Sequence, residues 1–193
     1  MVEEWLEPTL SLCAEHGFAF FEARATASHG WLLIEQGQED EGMARIRQGL
    51  DGMQATGSQI YVPMELAIMG EAHGRAGQPE KGLTTLAEAL AVAHSTGGRL
   101  YEPEIHRLKG ELLLTQGDDA GAKESFCQAV EVARVQNARS WELRATVSLC
   151  RLLANEGQRE QARDMLSEVY GWFTEGFDTR DLQEAKALLE ALF

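Results

Sequence analysis

Apolar residues along this chain recur at intervals of three and four, the spacing that gathers them on one side of an α-helix. The helical pattern then repeats as a block. Tyr101, Pro103, Gly110 and Gly117 reproduce Tyr61, Pro63, Gly70 and Gly77 at a distance of 40 residues, and Trp141, Cys150 and Gly157 stand at the corresponding places one period later. Self-similarity at a fixed period of about 20–50 residues is what a stack of helical hairpins produces, because one hairpin cannot bury its apolar face alone.

The pattern predicts first helices over 21–36, 61–76, 101–116 and 141–156, each opened by an aromatic residue and closed before Gly37, Gly77, Gly117 or Gly157. Second helices follow over 39–56, 79–96, 119–136 and 159–175, with Gly57, Gly97, Asn137 and, one residue early, Gly176 in the closing turns. Glycine, or asparagine in its place, suits the left-handed residue just past a helix end, where a Cβ is penalised. The expected organisation is a single domain over 1–193: a half-repeat at 1–20, repeats at 21–60, 61–100, 101–140 and 141–180, and a capping helix at 181–193. Pro63, Pro79 and Pro103 fall in first turns, where a missing N–H does no harm. Pro8 falls mid-helix, so the chain before it is expected to kink, fray or pack irregularly. The half-repeat lacks a first helix, and its edge is expected to expose Leu10, Leu12 and Cys13 and to offer a face for homodimerisation.

Ile46, Leu86, Phe126 and Leu166 share one repeat position; Leu50, Leu90, Val130 and Tyr170 share another. Leu33, Leu113 and Leu153 answer them from the first helices, with His73 in the same series. These rows are the candidate core. Gly30, Gly70 and Gly110, with Cys150 fourth, recur inside the first helices, and Gly42, Gly82, Ala122 and Ala162 inside the second. An interior glycine costs a helix about 1 kcal/mol against alanine, so small residues at matched points imply two backbones in close approach.

Composition changes this picture little. Hydrophobic residues make up 44% and charged residues 25%, ordinary for a globular chain. The net charge of −14 argues against a nucleic-acid partner, which needs a basic face. The acidity is spread, with 10 acidic and 3 basic residues over 1–60 and 10 and 6 over 141–193, as on a solvated surface. Cys13, Cys127 and Cys150 show no C-x-x-C spacing and leave one over, which points to small buried thiols in a reducing compartment. No apolar run approaches the ~20 residues of a membrane span, and the acidic start MVEEWLEP has no apolar leader core. A cytoplasmic protein with no membrane partner is the expectation.

Chemistry is sparse. His16, His29, His73, His94 and His106 lack the spacing of a zinc pair, and His73 is expected as a packed, hydrogen-bonded side chain. There is no G-x-S-x-G elbow and no phosphate loop. Asp118-Asp119 and Glu39-Asp40-Glu41 stand where second helices begin, as caps and dipole partners. No catalytic residue, cofactor or metal is expected, and the chain is read as not an enzyme.

The small residues at Gly30/Gly70/Gly110 and Gly42/Gly82/Ala122/Ala162, with the bulky row Ile46/Leu86/Phe126/Leu166, lie at relative spacings of 12 and 4. This resembles the tetratricopeptide (TPR) repeat, with a period of 40 in place of about 34. The resemblance implies an all-α right-handed α-α superhelix of about four helical hairpins with a half-repeat and a cap. Residues 72–90, 105–114 and 170–192 further resemble the C-terminal repeats of large bacterial multidomain signalling proteins. There, a class III adenylate/guanylate cyclase or a transcriptional regulator domain precedes a signal-transduction ATPase. Docking, autoinhibition or inducer sensing is the role this implies.

A TPR-like array lines its concave groove with first helices. Carried over by register, the groove rows are Arg24/Met64/Glu104/Arg144, Ala27/Ala67/Arg107/Val147, Trp31/Glu71/Glu111/Arg151 and Glu35/Arg75/Thr115/Asn155. The candidate partner-binding set is Arg24, Trp31, Met64, Glu71, Arg75, Arg107, Glu111, Arg144 and Arg151. Tryptophan flanked by arginine is a hot-spot composition, and arginine grips carboxylates bidentately. Alternatively, Arg107, Glu111 and Arg151 simply pair with one another across adjacent helices. The function expected is capture of a protein or peptide, another domain of the same parent among the candidates, with a small-ligand sensor as the alternative.

Overall fold

The computed structural model describes residues 2–192, with side chains from residue 4 on. Those residues form ten α-helices and a single 3-10 turn, and no strand among them. The helices fall into two compact units, Met1–Tyr101 and Glu102–Phe193. Unit 1 holds α1 (Val2–His16), the hairpin α2 (Ala19–Glu35) and α3 (Glu39–Ala55), the hairpin α4 (Val62–Arg75) and α5 (Pro79–Thr96), and a 3-10 turn at Arg99–Tyr101. Unit 2 holds the hairpins α6 (Glu102–Thr115) with α7 (Asp119–Val135) and α8 (Arg139–Asn155) with α9 (Arg159–Tyr170), then α10 (Arg180–Leu192).

The turn residues predicted to close the helices are found in the left-handed conformation, and all helix ends but that of the last second helix fall within a residue or two of the prediction. Gly37, Gly57, Gly77, Gly97, Gly117, Gly157 and Gly176 all have positive φ, as does Gly17, and Asn137 is the one described non-glycine residue that does, at +53°. Asp118 caps α7, its Oδ1 accepting from the Gly121 N–H at 2.9 Å. The bulky row lies at the centre of each hairpin: Ile46, Leu86, Phe126 and Leu166 are each 0% exposed. At about 1.5–3 kcal/mol per fully buried large side chain, that row is a principal source of stability. The second row is less uniform, since Val130 is buried while Leu50, Leu90 and Tyr170 are half-buried.

Close approach of the paired helices is real, and its form changes along the chain. A Cβ on Gly30 would lie 2.5 Å from the Gly42 carbonyl oxygen, and one on Gly42 would lie 2.6 Å from that of Gly30. Here backbone meets backbone. At Gly70 the obstacle is the Leu86 side chain, 2.8 Å away, and at Gly110 it is the ring of Phe126.

Four expectations differ from the structure. Helix α1 runs through Pro8 without a break. The proline is exposed, so water can reach the carbonyl that loses its partner, and the Thr9 hydroxyl donates to the Trp5 carbonyl at 2.6 Å in the disturbed turn. Cys13 is 4% exposed rather than open, while Leu12 of the same helix is 53% exposed. Cys127, expected as a buried thiol, is exposed. Helix α9 stops at Tyr170, not 175, because Phe173 turns back onto the core shared by α8, α9 and α10. The capping helix itself is seated by Leu182, Ala185 and Leu192, all buried.

Candidate functional site

The first helices carry the candidate residues, and each unit presents its own set. In unit 1, Arg24 of α2 lies over the Tyr61 ring, with Cζ 3.7 Å from the ring centroid, and its Nη1 is buried without a hydrogen-bond partner. Trp31 is at the edge of exposure at 36%, and Met64 is half-buried. Arg75 of α4 donates to Glu35 Oε1 and to Glu71 Oε1, both at 2.8 Å. One guanidinium therefore bridges two carboxylates and ties α2 to α4. Pairs this exposed contribute about 0–1 kcal/mol each.

Unit 2 holds a more extended network. Arg107 grips Glu104 with two donors, Nε to Oε2 at 2.9 Å and Nη2 to Oε1 at 2.8 Å. Its Nη1 reaches Glu111 Oε1 at 3.1 Å. Arg144 of α8 adds a second cation to Glu104 at 3.1 Å and approaches Asp181 of α10 at 3.6 Å. Its Cζ is also 5.4 Å from the Trp141 ring. Ser148 donates to Glu111 Oε1 at 2.6 Å. Arg151 pairs with Glu184 of α10 at 3.0 Å, and Arg180 holds the other oxygen of that carboxylate at 2.7 Å. Hydrogen bonds from Arg180 and then Arg151 hold Glu184 below the usual carboxylate range.

Of the alternative pairing among Arg107, Glu111 and Arg151 across adjacent helices, the structure shows only Arg107 on Glu111 Oε1 within α6, an oxygen that Ser148 of α8 also reaches, while Arg151 pairs with Glu184 of α10. Arg107 is also far less open than a groove residue should be, its side chain only 13% exposed. Ala27, Ala67 and Val147 of the same row are buried, so this row packs helix against helix. The open rows are the two containing Trp31 and Arg151, and Glu35 and Asn155.

A cleft of about 370 Å³ opens in unit 2 between α6, the start of α7 and α8. Glu111, Ser148, Arg151 and Asn155 line it with polar groups, Leu114 and Leu152 with apolar ones, and Asp119 and Glu156 complete it. Glu156 takes the Lys123 ammonium at 2.6 Å. Among the described residues no group of three or more His, Cys, Asp or Glu could hold a metal ion.

Several groups escaped the sequence reading. Glu142 is 1% exposed and takes Arg134 Nε on one oxygen at 2.7 Å and Arg139 Nη1 on the other at 2.6 Å. Glu65 is also 1% exposed, yet neither of its oxygens has a partner. Burial pushes its carboxyl up to about 7, with the charge of Arg24 pulling the other way. A signal for it did exist. Ala25, Ile105 and Ala145 occupy the same repeat position, so a glutamate there breaks an apolar series. His73, expected to be packed and hydrogen-bonded, is half-buried; burial, then Lys81 and Arg47, lower its pKa. The Cys150 thiol, 3.1 Å from the Ala162 carbonyl, is pushed up to about 12 by burial and is chemically inert.

No protein-family model matches this chain, and no curated protein does. Solved structures do. A kinesin light chain-like protein from Podosopora anserina, made of nearly identical TPR-like repeats, is similar at 16% identity and a TM-score of 0.64, over 88% of this chain and 84% of that one. A single-substitution variant of that protein is similar at 17% identity and 0.62, over 88% and 92%. At that identity the likeness is one of fold. Taken with the hairpins, turn glycines and core row above, it makes this chain an all-α protein with a TPR-like repeat arrangement.

Proposed function

We propose that this chain is a non-catalytic interaction module that captures a carboxylate-bearing peptide or partner domain on the first-helix face of unit 2. The observation that carries this reading is a redundancy in the ion pairs beside the cleft. Glu184 keeps Arg180 if Arg151 leaves it, and Glu104 keeps its two-donor grip from Arg107 if Arg144 leaves it. Arg144 and Arg151 can therefore turn to a partner's carboxylates without stranding a buried charge, which is the step that makes such exchanges costly. Their side chains are 35% and 51% exposed. Arg75 is the opposite case, since releasing it would leave both Glu35 and Glu71 bare. Arg107, Glu111 and Ser148 position this face, while Arg24, Trp31, Met64 and Glu71 are the corresponding candidates within unit 1.

The resemblance to repeats of bacterial cyclase-, regulator- and ATPase-containing signalling proteins makes another domain of such a cytoplasmic parent the first partner to test. Capture should be measured with that domain, or with acidic peptides, against Arg144→Ala/Arg151→Ala. Binding should be lost with the melting temperature nearly unchanged, because exposed pairs hold the fold by only about 0–1 kcal/mol each. Binding at full strength in the double variant would move the binding face elsewhere. The volume of the cleft, about 370 Å³, favours a second reading, a small inducer seated between α6 and α8, since small-molecule sites run from about 300 Å³ upward. Calorimetric binding of a low-molecular-weight metabolite fraction, abolished by Ser148→Leu, would select it.

A further inference from the structure

Glu65 and Arg24 are two groups in unit 1 whose surroundings leave them unsatisfied. An ionised Glu65 would have neither solvent nor a donor, and a buried carboxyl in that position keeps its proton well above the usual range. Arg24 has its guanidinium on the Tyr61 ring, 3.7 Å from the centroid, and a buried Nη1 with nothing to donate to. The two meet through Tyr61. Glu65 lies one helical turn beyond it on α4, its N–H donating to the Tyr61 carbonyl at 3.2 Å, and side chains four apart on a helix are neighbours. From α3, Leu50 and Met53 belong to the cluster that Tyr61 joins, both uncharged, and the residues that α5 buries, Gly82, Leu86, Ala89 and Ala93, carry no charge either. From α2 the facing charge is Arg24, the one described charge that acts appreciably on the Glu65 carboxyl.

We propose that Glu65 and Arg24 form a proton-operated latch between α4 and α2, in which Arg24 rests on Tyr61 while Glu65 holds its proton and moves onto the carboxylate when that proton is lost to solvent. The exchange follows from relative strengths. A neutral carboxyl competes weakly for a guanidinium, and the attraction of a cation to an aromatic face is enough to hold Arg24 against it. A buried carboxylate is a far stronger acceptor, and the idle Nη1 donor is what would reach it. Arg75 of α4 cannot serve in its place, because it is already shared between two glutamates.

The sign of the pH effect follows from proton binding. An unfolded chain releases the Glu65 proton near the ordinary value of 4.5, and the folded chain holds it to about 7. Between those values the folded state binds the extra proton, so stability from this group is full below the lower value. It is lost progressively as pH rises to the upper one and is level beyond.

The test uses the full chain labelled with carboxyl-13C glutamate and ring-labelled tyrosine, followed by NMR from about pH 5 to about pH 9, with Glu65→Gln to assign the Glu65 signal. The expected result is a Glu65 midpoint near 7 and Tyr61 ring signals that shift with the same midpoint. In Glu65→Gln the Tyr61 signals should be indifferent to pH. Arg24→Lys should keep the charge yet shrink the Tyr61 shift, since an ammonium stacks less well on a ring. A Glu65 midpoint in the ordinary carboxylate range, or Tyr61 signals that stay still while Glu65 titrates, would overturn the latch. If a variant fails to fold, triple-resonance correlation from the backbone assigns the Glu65 carboxyl and the Tyr61 ring in the wild type, and the wild-type curves then decide.

Discussion

Adding one methyl group to Gly110 tests the packing argument at its tightest point. A Cβ there would overlap the Phe126 ring, and that ring is 0% exposed, so it has no free space to move into. Two effects oppose each other. Replacing an interior helical glycine by alanine gains about 1 kcal/mol in propensity. Forcing a methyl group into a filled core costs about 1–3 kcal/mol. Gly110→Ala should therefore destabilise unit 2 by on the order of 1 kcal/mol net, and Gly110→Leu by considerably more. A leucine in place of the ring would not relieve the overlap, since a Cβ at Gly70 would lie 2.8 Å from Leu86. In a Phe126→Ala background the overlap is relieved, and Gly110→Ala should become favourable by about the propensity difference, roughly 1 kcal/mol. The coupling between the two substitutions is then about 2 kcal/mol, large for a contacting pair. Urea unfolding of the four proteins, read as midpoints at constant slope, measures it. Additive effects would refute the reasoning, as would a higher midpoint for Gly110→Ala in the wild-type background.

Other consequences can be checked with less effort. Glu65→Ile, which copies the residue at Ile105, should raise stability at pH 8 by up to about 3 kcal/mol and much less at pH 5, from a displacement of 4.5 to about 7 at about 1.4 kcal/mol per unit; equal gains at both pH values would contradict the burial argument. Arg107→Ala should destabilise by about 1.5–3 kcal/mol, because Glu104, only 9% exposed at its side chain, would lose its two-donor grip and keep the single Arg144 contact; thermal melting shows it. Cys127 should react with a maleimide in the native protein while Cys13 and Cys150 do not, as mass spectrometry of labelled peptides would record. Arg144→Ala/Arg151→Ala should leave the melting curve nearly where it was, which separates those two arginines from Arg107 even before a partner is in hand.

The contrast between Arg107 and Arg151 also shows how far the sequence reached. Both fell in candidate groove rows by register. One proved to be packed against Glu104 and the other half-open beside a cleft, a difference that register cannot carry, since both stand on the same series of helices. Phe173 misled in a related way. The pattern ran the last second helix to 175, but an aromatic side chain drawn into the core of α8, α9 and α10 ended it at Tyr170. Glu65 could have been found from the apolar company it keeps at Ala25, Ile105 and Ala145. Its missing partners could not.

What the sequence determined alone was everything set by local geometry or by the repeat. The helix ends follow from glycine and asparagine in left-handed turns, the bulky core row from the helical period, and the close approaches from small residues at matched places. Each of these is a property of one short stretch copied at a fixed interval, so one copy predicts the rest. Tertiary structure alone decided which charges meet. The pairs Arg75–Glu35, Arg144–Glu104 and Arg151–Glu184 join residues 33 to 40 apart on different helices. Whether a given arginine is shared, redundant or stranded depends on distances of a few ångströms and on exclusion of water, which exist only after the hairpins have packed.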